Sequence, residues 1–343
     1  MRTLRLGVRP AIALAAALLV TAGLTACSSD SNDRLTIYSG RTKDLIGPLL
    51  EQFNEETGID IDVRYGDSPD LALLIEEEGD QSPADVFLSQ SPGATGYLDE
   101  LGRLEPLPDD VLDIVEPRFR ADDGSWVGVS GRVRTLVYNR DEVSESDLPA
   151  SVFDLTDPFY EGQVGVAPTN GSFQDFVTTM REQFGNDETE AWLNGMADNG
   201  AQSYPDNVSI VDAVARGEIA YGLVNHYYNE QLLAEEPDAP SRNYYFPDRD
   251  VGSLLLVTAA SALDTAGDQT DNAEELIEFL LSEESQQFYA DETLEYPLRP
   301  GVLAPSPLPS LDELDVDTVD LTNLGSGLIE TRGLIADSGL EQS

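Results

Sequence analysis

Leu35-Thr36-Ile37-Tyr38-Ser39-Gly40-Arg41-Thr42 opens a run that closes at Ala84-Asp85-Val86-Phe87-Leu88, and the rhythm between them decides the fold class. Leu35 to Tyr38 reads as a short strand and Ser39 to Thr42 as a turn. Ile46, Leu49, Leu50 and Phe53 then recur at helical spacing, with Pro48 tolerable only near the first turn and Gly58 as the stop. Ile59, Ile61, Val63 and Tyr65 alternate with Asp60, Asp62 and Arg64, which is strand periodicity. Leu71, Leu74 and Ile75 mark a second helix closed by Gly79, and Ala84 to Leu88 reads as a buried strand. This β-α-β-α-β order predicts an α/β fold, its sheet largely parallel, covered by helices and joined by right-handed crossovers. Ligands of such sheets bind beyond the C-terminal ends of the strands, so the loops after Tyr38 and Leu88 are expected on one rim.

A second α/β unit follows. Val127 to Val129 and Val133 to Tyr138 read as strands on either side of Gly131, and Val164 to Ala167 as another. Phe173, Phe176, Val177, Met180 and Phe184 keep helical spacing, as do Ile210, Val211, Val214 and Ala215. Ile219 to Val224 is an apolar strand. Leu254 to Val257 is another, and it is placed to return the chain to the first unit. Helices are expected over Ala273 to Leu281 and Glu284 to Tyr289. Pro305 to Ser343 is rich in Asp, Leu, Gly and Ser and gives no clear pattern.

Upstream, a basic start and an apolar run from Ala11 to Leu24 end at Leu24-Thr25-Ala26-Cys27. The run is short for a membrane span of about 20 residues and reads as a signal peptide, residues 1–26. The four closing residues resemble a bacterial lipobox, which makes Cys27 the expected lipidation site and Ser28 to Asp33 a polar tether. Acyl chains on Cys27 would hold the protein on a membrane without spanning it. Cys27 is the only cysteine of the 343 residues, so no disulfide forms within the chain. The chain carries 65 acidic against 19 basic residues. Removal of Arg2, Arg5 and Arg9 with the signal takes the net charge to about −49. Such a surface argues against nucleic acid and anionic lipid headgroups as partners.

Asn225-His226-Tyr227-Tyr228-Asn229 follows the strand at Ile219. On a continuing strand the two phenols would point to opposite faces, whereas a turn into a helix at Asn225 lets both face one cleft. Phenolate is a hard oxygen donor suited to a highly charged cation, and such a cation stabilises the deprotonated form below the free pKa of about 10. Residue type alone favours the plainer reading, two core or rim aromatics with satisfied hydroxyls. Asn170-Gly171-Ser172 opens a helix, which makes it either an anion site or an ordinary cap with Ser172 capping its own helix. Arg134, one of two cations in Gly131-Arg132-Val133-Arg134, needs an anion or an internal carboxylate opposite it if it is buried at a strand start. His226 is the sole histidine, read as a satisfied or exposed neighbour of the tyrosines. With one His and one Cys the chain has no zinc cluster, and no Cys-His dyad or Ser-His-Asp triad without that histidine. No nucleophile elbow, P-loop or dinucleotide fingerprint is present, so hydrolase, transferase and adhesion readings have no motif behind them.

Together these stretches resemble the ferric-ion-binding solute receptors of bacterial ABC transporters, over residues 34 to 304. The resemblance rests on Leu35 to Arg41, Glu77 to Phe87, Ser130 to Arg134, Ala167 to Gln174, and Ala213 to Glu218 leading into Asn225 to Tyr228. It implies a two-lobed, periplasmic-binding-protein-like fold with a hinge of crossing strands. Residues 34–133 with 258–304 form one lobe, and 134–257 with 305–343 the other. It implies Tyr227 and Tyr228 as iron ligands. A synergistic anion (phosphate, carbonate or a small carboxylate such as citrate) is implied at Asn170, Gly171 and Ser172, with Asn207, Asn225 and Arg134. Where many members have a His ligand this chain has Thr42, and where many have a Glu ligand it has Gln90. Ser172 stands where others have a third Tyr. The expected partner is an ABC permease, the expected state a monomer on the outer face of the cell membrane. The alternative is the same architecture binding an organic anion, a phosphonate or carboxylate, without metal.

Overall fold

The structure, a computed structural model, describes residues 34 to 342 except 307 and 315. The signal segment 1–26, Cys27 and the tether 27–33 lie outside the described residues. Among the described residues no helix is long and apolar enough to cross a membrane.

The opening rhythm folds as its periodicities dictate. β1 (Leu35–Ser39) is followed by α1 (Lys43–Thr57), β2 (Ile61–Tyr65), α2 (Ser68–Glu78) and β3 (Val86–Ser89). β1 pairs in parallel with both β2 and β3. α1 buries Ile46, Leu49, Leu50 and Phe53 and ends at Gly58, whose φ of 76° turns its N–H back to the Asn54 carbonyl. Pro48 lies in the second turn, because α1 starts at Lys43. The carbonyl it leaves without a helical donor is that of exposed Asp44.

α3 (Pro92–Glu100), β4 (Leu104–Glu105) and α4 (Asp109–Leu112) lead to β5 (Val127–Asn139). The chain continues with β6 (Val164–Val166), α5 (Gly171–Phe184), α6 (Asn186–Asp198), β7 (Gln202–Ser203), α7 (Asn207–Ala215), β8 (Tyr221–Asn225), α8 (His226–Glu235) and β9 (Ser241–Tyr244). β10 (Leu255–Leu263), α9 (Thr270–Leu280), α10 (Glu283–Asp291), β11 (Tyr296–Pro297) and α11 (Leu328–Ser338) complete it. The strands run in the order β2-β1-β3-β10-β5-β8-β6-β7. Pairing is parallel at the two ends and antiparallel around the long β5 and β10.

β5 is one unbroken strand where two were expected. Gly131 does not interrupt it; a side chain there would meet Leu298 at 3.1 Å and Tyr296 at 3.3 Å, so glycine lets β11 pair closely alongside the strand. Residues up to Val133 pair with β10, and residues from Arg134 pair with β8. One strand therefore serves both halves of the sheet, and its change of partner falls at Val133/Arg134.

Several elements escaped the sequence reading, α3, α6 and β9 among them. α6 buries Trp192, Leu193 and Met196, and Trp192 donates to the Val152 carbonyl at 3.0 Å. The C-terminal segment is also built into the molecule. Leu324, Leu328, Ile335 and Leu340 are buried, and Thr331 shares a 2.7 Å hydrogen bond with Thr178 of α5. The backbone at Gly325 rests directly on that of Gly96 in α3, leaving no room for a Cβ. Arg332 reaches Asp70 of α2 at 2.9 Å.

Candidate functional site

β8 ends at Asn225 and α8 begins at the next residue, so the tyrosines fall on a helix's first turn. Their rings stack with centroids 4.1 Å apart and planes 33° from parallel. Tyr227 is fully buried and Tyr228 half-buried. Burial raises both phenols above their ordinary pKa, Tyr227 the more strongly, and Arg41 and Arg132 pull the other way. The pair is thus held neutral. His226 beside it is satisfied and buried. Its Nδ1 accepts from Val133 N at 3.2 Å, which leaves Nε2 to donate to the Leu294 carbonyl at 3.1 Å. Burial pushes it down to about 4, so it is a neutral imidazole.

The start of α5 lies against the end of β8. Asn170, not Ser172, caps α5, its Oδ1 accepting from Ser172 N at 3.1 Å. Ser172 Oγ instead accepts from Asn225 Nδ2 at 3.1 Å. Asn225 Oδ1 in turn accepts from Arg134 Nη1 at 3.4 Å, and Arg134 Nη2 donates to the Leu223 carbonyl at 3.2 Å. Asn170, Gly171, Ser172, Asn225 and Arg134 therefore form one linked group. Arg134 sits mid-strand rather than at a strand start, and its hydrogen bonds go to neutral oxygens. Burial pushes its guanidinium down to about 9, and nearby Arg132 acts in the same direction. Asn207, first residue of α7, is 1% exposed, and neither of its side-chain polar atoms has a partner. Arg132 is fully buried, with Nε and Nη2 unpartnered. Buried polar atoms are almost always paired, so these amide and guanidinium groups amount to unspent capacity for an anionic guest.

The other rim is sparser. Gly40 N donates to the Leu88 carbonyl at 2.7 Å, which sets the loops after β1 and β3 side by side. Gln90, following β3, is buried, and its Nε2 reaches the Tyr227 hydroxyl at 3.5 Å. Thr42 is exposed just before α1, and no hydrogen bond or ring contact joins it to the tyrosines. Ser91 Oγ (2.7 Å) and Gly93 N (3.2 Å) both donate to Oδ1 of buried Asp175 on α5, so α3 and α5 meet directly. Burial lifts Asp175 to about 7 against the opposing pull of Ser91, Arg132 and Gly93. Sequence reasoning gave no role to Asp175, to Arg132, or to the buried ion pair of Arg41 with Glu295. For Arg132 the signal was there: it alternates with Arg134 along a strand and so shares its face. Among the described residues no group of three or more His, Cys, Asp or Glu side chains is placed to hold a metal ion.

The profile of one family, described as bacterial extracellular solute-binding protein, matches residues 81–314. The chain belongs to that family. Over 329 residues this solute-binding protein is 32% identical to the major ferric iron-binding protein of Neisseria meningitidis, covering 94% of this chain and 98% of that one. Among solved structures, the iron-bound HitA of Pseudomonas aeruginosa superposes with a TM-score of 0.85 at 35% identity, covering 90% of this chain and 99% of that one. A Trichodesmium protein solved with iron and citrate superposes with a TM-score of 0.74 at 25% identity, again over 90% and 99%. The fold is the two-lobed one of periplasmic binding proteins, as expected from the sequence.

Proposed function

We propose that this solute-binding protein captures ferric iron together with an anion and delivers the iron to an ABC permease. Tyr227 and Tyr228 supply phenolate oxygens. Asn170, Gly171, Ser172, Asn207 and Asn225, with Arg134, hold the anion, which is phosphate, carbonate or a small carboxylate such as citrate. Gln90 and Thr42 approach from the opposite rim, toward the ion, its anion or a bound water. The lobes are residues 34–133 with 258–304, and 134–257 with 305–343. Lipid on Cys27 holds the protein at the outer face of the membrane, and it acts as a monomer that binds and releases without turnover.

The observation that carries this reading is the stacked tyrosine pair on the first turn of α8, with buried, unpartnered Asn207 at the start of α7. Two phenolates bring two negative charges and leave a trivalent ion short of ligands, and a bound anion completes both charge and coordination. The iron and the citrate of the two solved relatives match that chemistry. Loading with ferric citrate or ferric phosphate is expected to give a visible phenolate-to-iron band, absent from Tyr227→Phe/Tyr228→Phe. A colourless loaded protein that binds citrate or a phosphonate without metal in calorimetry would replace this reading with the organic-anion one.

A further inference from the structure

We infer that His226 is a positioning residue: with the loop Thr293-Leu294-Glu295-Tyr296 it fixes the direction of the tyrosine pair and ties it to the loop after β1. This rests on the reading that the pair grips the metal. His226 is the first residue of α8 and is held on three sides. Its Nδ1 takes the Val133 N–H at the point where β5 changes partners. Its Nε2–H goes to the Leu294 carbonyl. Its own carbonyl accepts from Asn243 Nδ2 at 2.9 Å. The ring lies over Tyr296 (4.9 Å, 33°) and meets Tyr227 edge-on (5.8 Å, 85°).

The receiving loop is itself constrained. Leu294 has φ of 59°, a left-handed conformation unfavourable for leucine and kept only where the surroundings hold it. Gln231 of α8 donates to the Thr293 carbonyl at 2.9 Å, so α8 grips the loop at two points. Glu295 is the next residue of the loop. It pairs with Arg41 of the β1 loop and accepts from Ser130 Oγ at 2.9 Å and Thr293 Oγ1 at 2.8 Å. Four residues thus connect the helix that carries the phenols to the loop that carries Arg41 and Thr42. An apolar ring in place of His226 leaves the Val133 N–H and the Leu294 carbonyl without it, both in a buried setting. A rotation of α8 by about 10–20° is enough to spoil a ligand constellation.

The test is the iron band of His226→Phe and His226→Asn against wild type, after loading the full chain with ferric citrate. Band position is read from loaded molecules only, so loss of folded protein lowers its height without moving it. His226→Phe is expected to displace the maximum and to lose iron to competing citrate at roughly tenfold lower concentration. His226→Asn, which keeps an acceptor toward Val133, is expected to lie between the two. Both variants matching wild type in maximum and competition overturns the inference. If His226→Phe shows no cooperative melt, His226→Asn decides alone: a displaced maximum supports the inference and an unmoved one overturns it. A wild-type protein without a band overturns the iron reading and this inference with it.

Discussion

The loops at Asn170–Ser172 and at Thr42–Gln90 differ in how much structure stands behind them. At the first, Asn170, Ser172, Asn225 and Arg134 hold one another through successive hydrogen bonds, and Asn207 at the start of α7 keeps two buried polar atoms unpaired. At the second, Gln90 makes one long side-chain contact and Thr42 is exposed. A buried, unpartnered amide costs on the order of 1–3 kcal/mol, and a fold retains such a group where a guest repays it. Binding strength should therefore reside at the tyrosines and the α5 cradle, with the Thr42–Gln90 rim as a neutral cover. Such a cover suits a carrier, because an ion held hard from both sides is slow to leave.

The largest test of that asymmetry removes a phenol. Tyr227→Phe or Tyr228→Phe should weaken ferric ion by more than the roughly 10–100-fold typical of residues that only support a ligand. Because burial holds both phenols neutral, loading should also release about two protons per ion, read with an indicator dye in weak buffer. Affinity should then fall as pH falls. Full affinity in either variant would move the site away from α8.

Gln90→Glu is the next largest and works from the other side. Burial penalises a carboxylate at this position until iron arrives to pair with it, so the iron-free protein should lose stability, by roughly 1–3 kcal/mol. Iron-loaded protein should gain about tenfold in affinity as the rim acquires a charged ligand. The gap between the melting temperatures of the loaded and empty forms is the measurement, and it should widen. An unchanged gap would mean that Gln90 does not face the ion.

The contact between the regions comes third. Asp175 titrates near 4 in the unfolded chain, whereas burial holds its proton to about 7 in the folded one. Its folded pKa is raised, so the stability it contributes is lost as pH rises from 4 to 7, and the penalty is complete above 7. His226 acts in the opposite sense. It protonates near 6.5 unfolded and near 4 folded, which costs stability as pH falls through that window. Asp175→Asn keeps an acceptor for Ser91 Oγ and Gly93 N and removes the charge. It should melt at the wild-type temperature at pH 4 and roughly 2–4 °C higher at pH 8. A lower melting temperature at pH 8 would show that the ionised carboxylate is needed there.

The alternation at Ile59–Tyr65 and the helical spacing of Ile46–Phe53 and Phe173–Phe184 were legible because each element buries one face. β5 reads as two strands in the sequence because glycine usually marks a break, and only the pairing of β11 alongside it explains Gly131. The tail was unreadable for a similar reason: Gly325 matters through its contact with Gly96, more than two hundred residues away. In the site, the tyrosines and Asn170–Ser172 stood out because local order places them at helix starts. The unpartnered atoms of Arg132 and Asn207, and the Ser91–Asp175 contact, exist only once distant segments meet.

Thr42 gives the smallest expected effect and the cleanest limit on the comparison. Its side chain makes no cap hydrogen bond to α1 and is exposed, so Thr42→Ala should leave stability within about 0.5 kcal/mol. Any change in iron handling then reports contact with the guest, not damage to the fold. If the rim is only a cover, iron removal by excess citrate should change by less than about threefold, under 0.7 kcal/mol. A tenfold faster loss at unchanged melting temperature would show that Thr42 reaches the ion or its anion. The strength of the site would then be shared between the two loops, and the asymmetry argued from hydrogen bonding would hold for the empty protein alone.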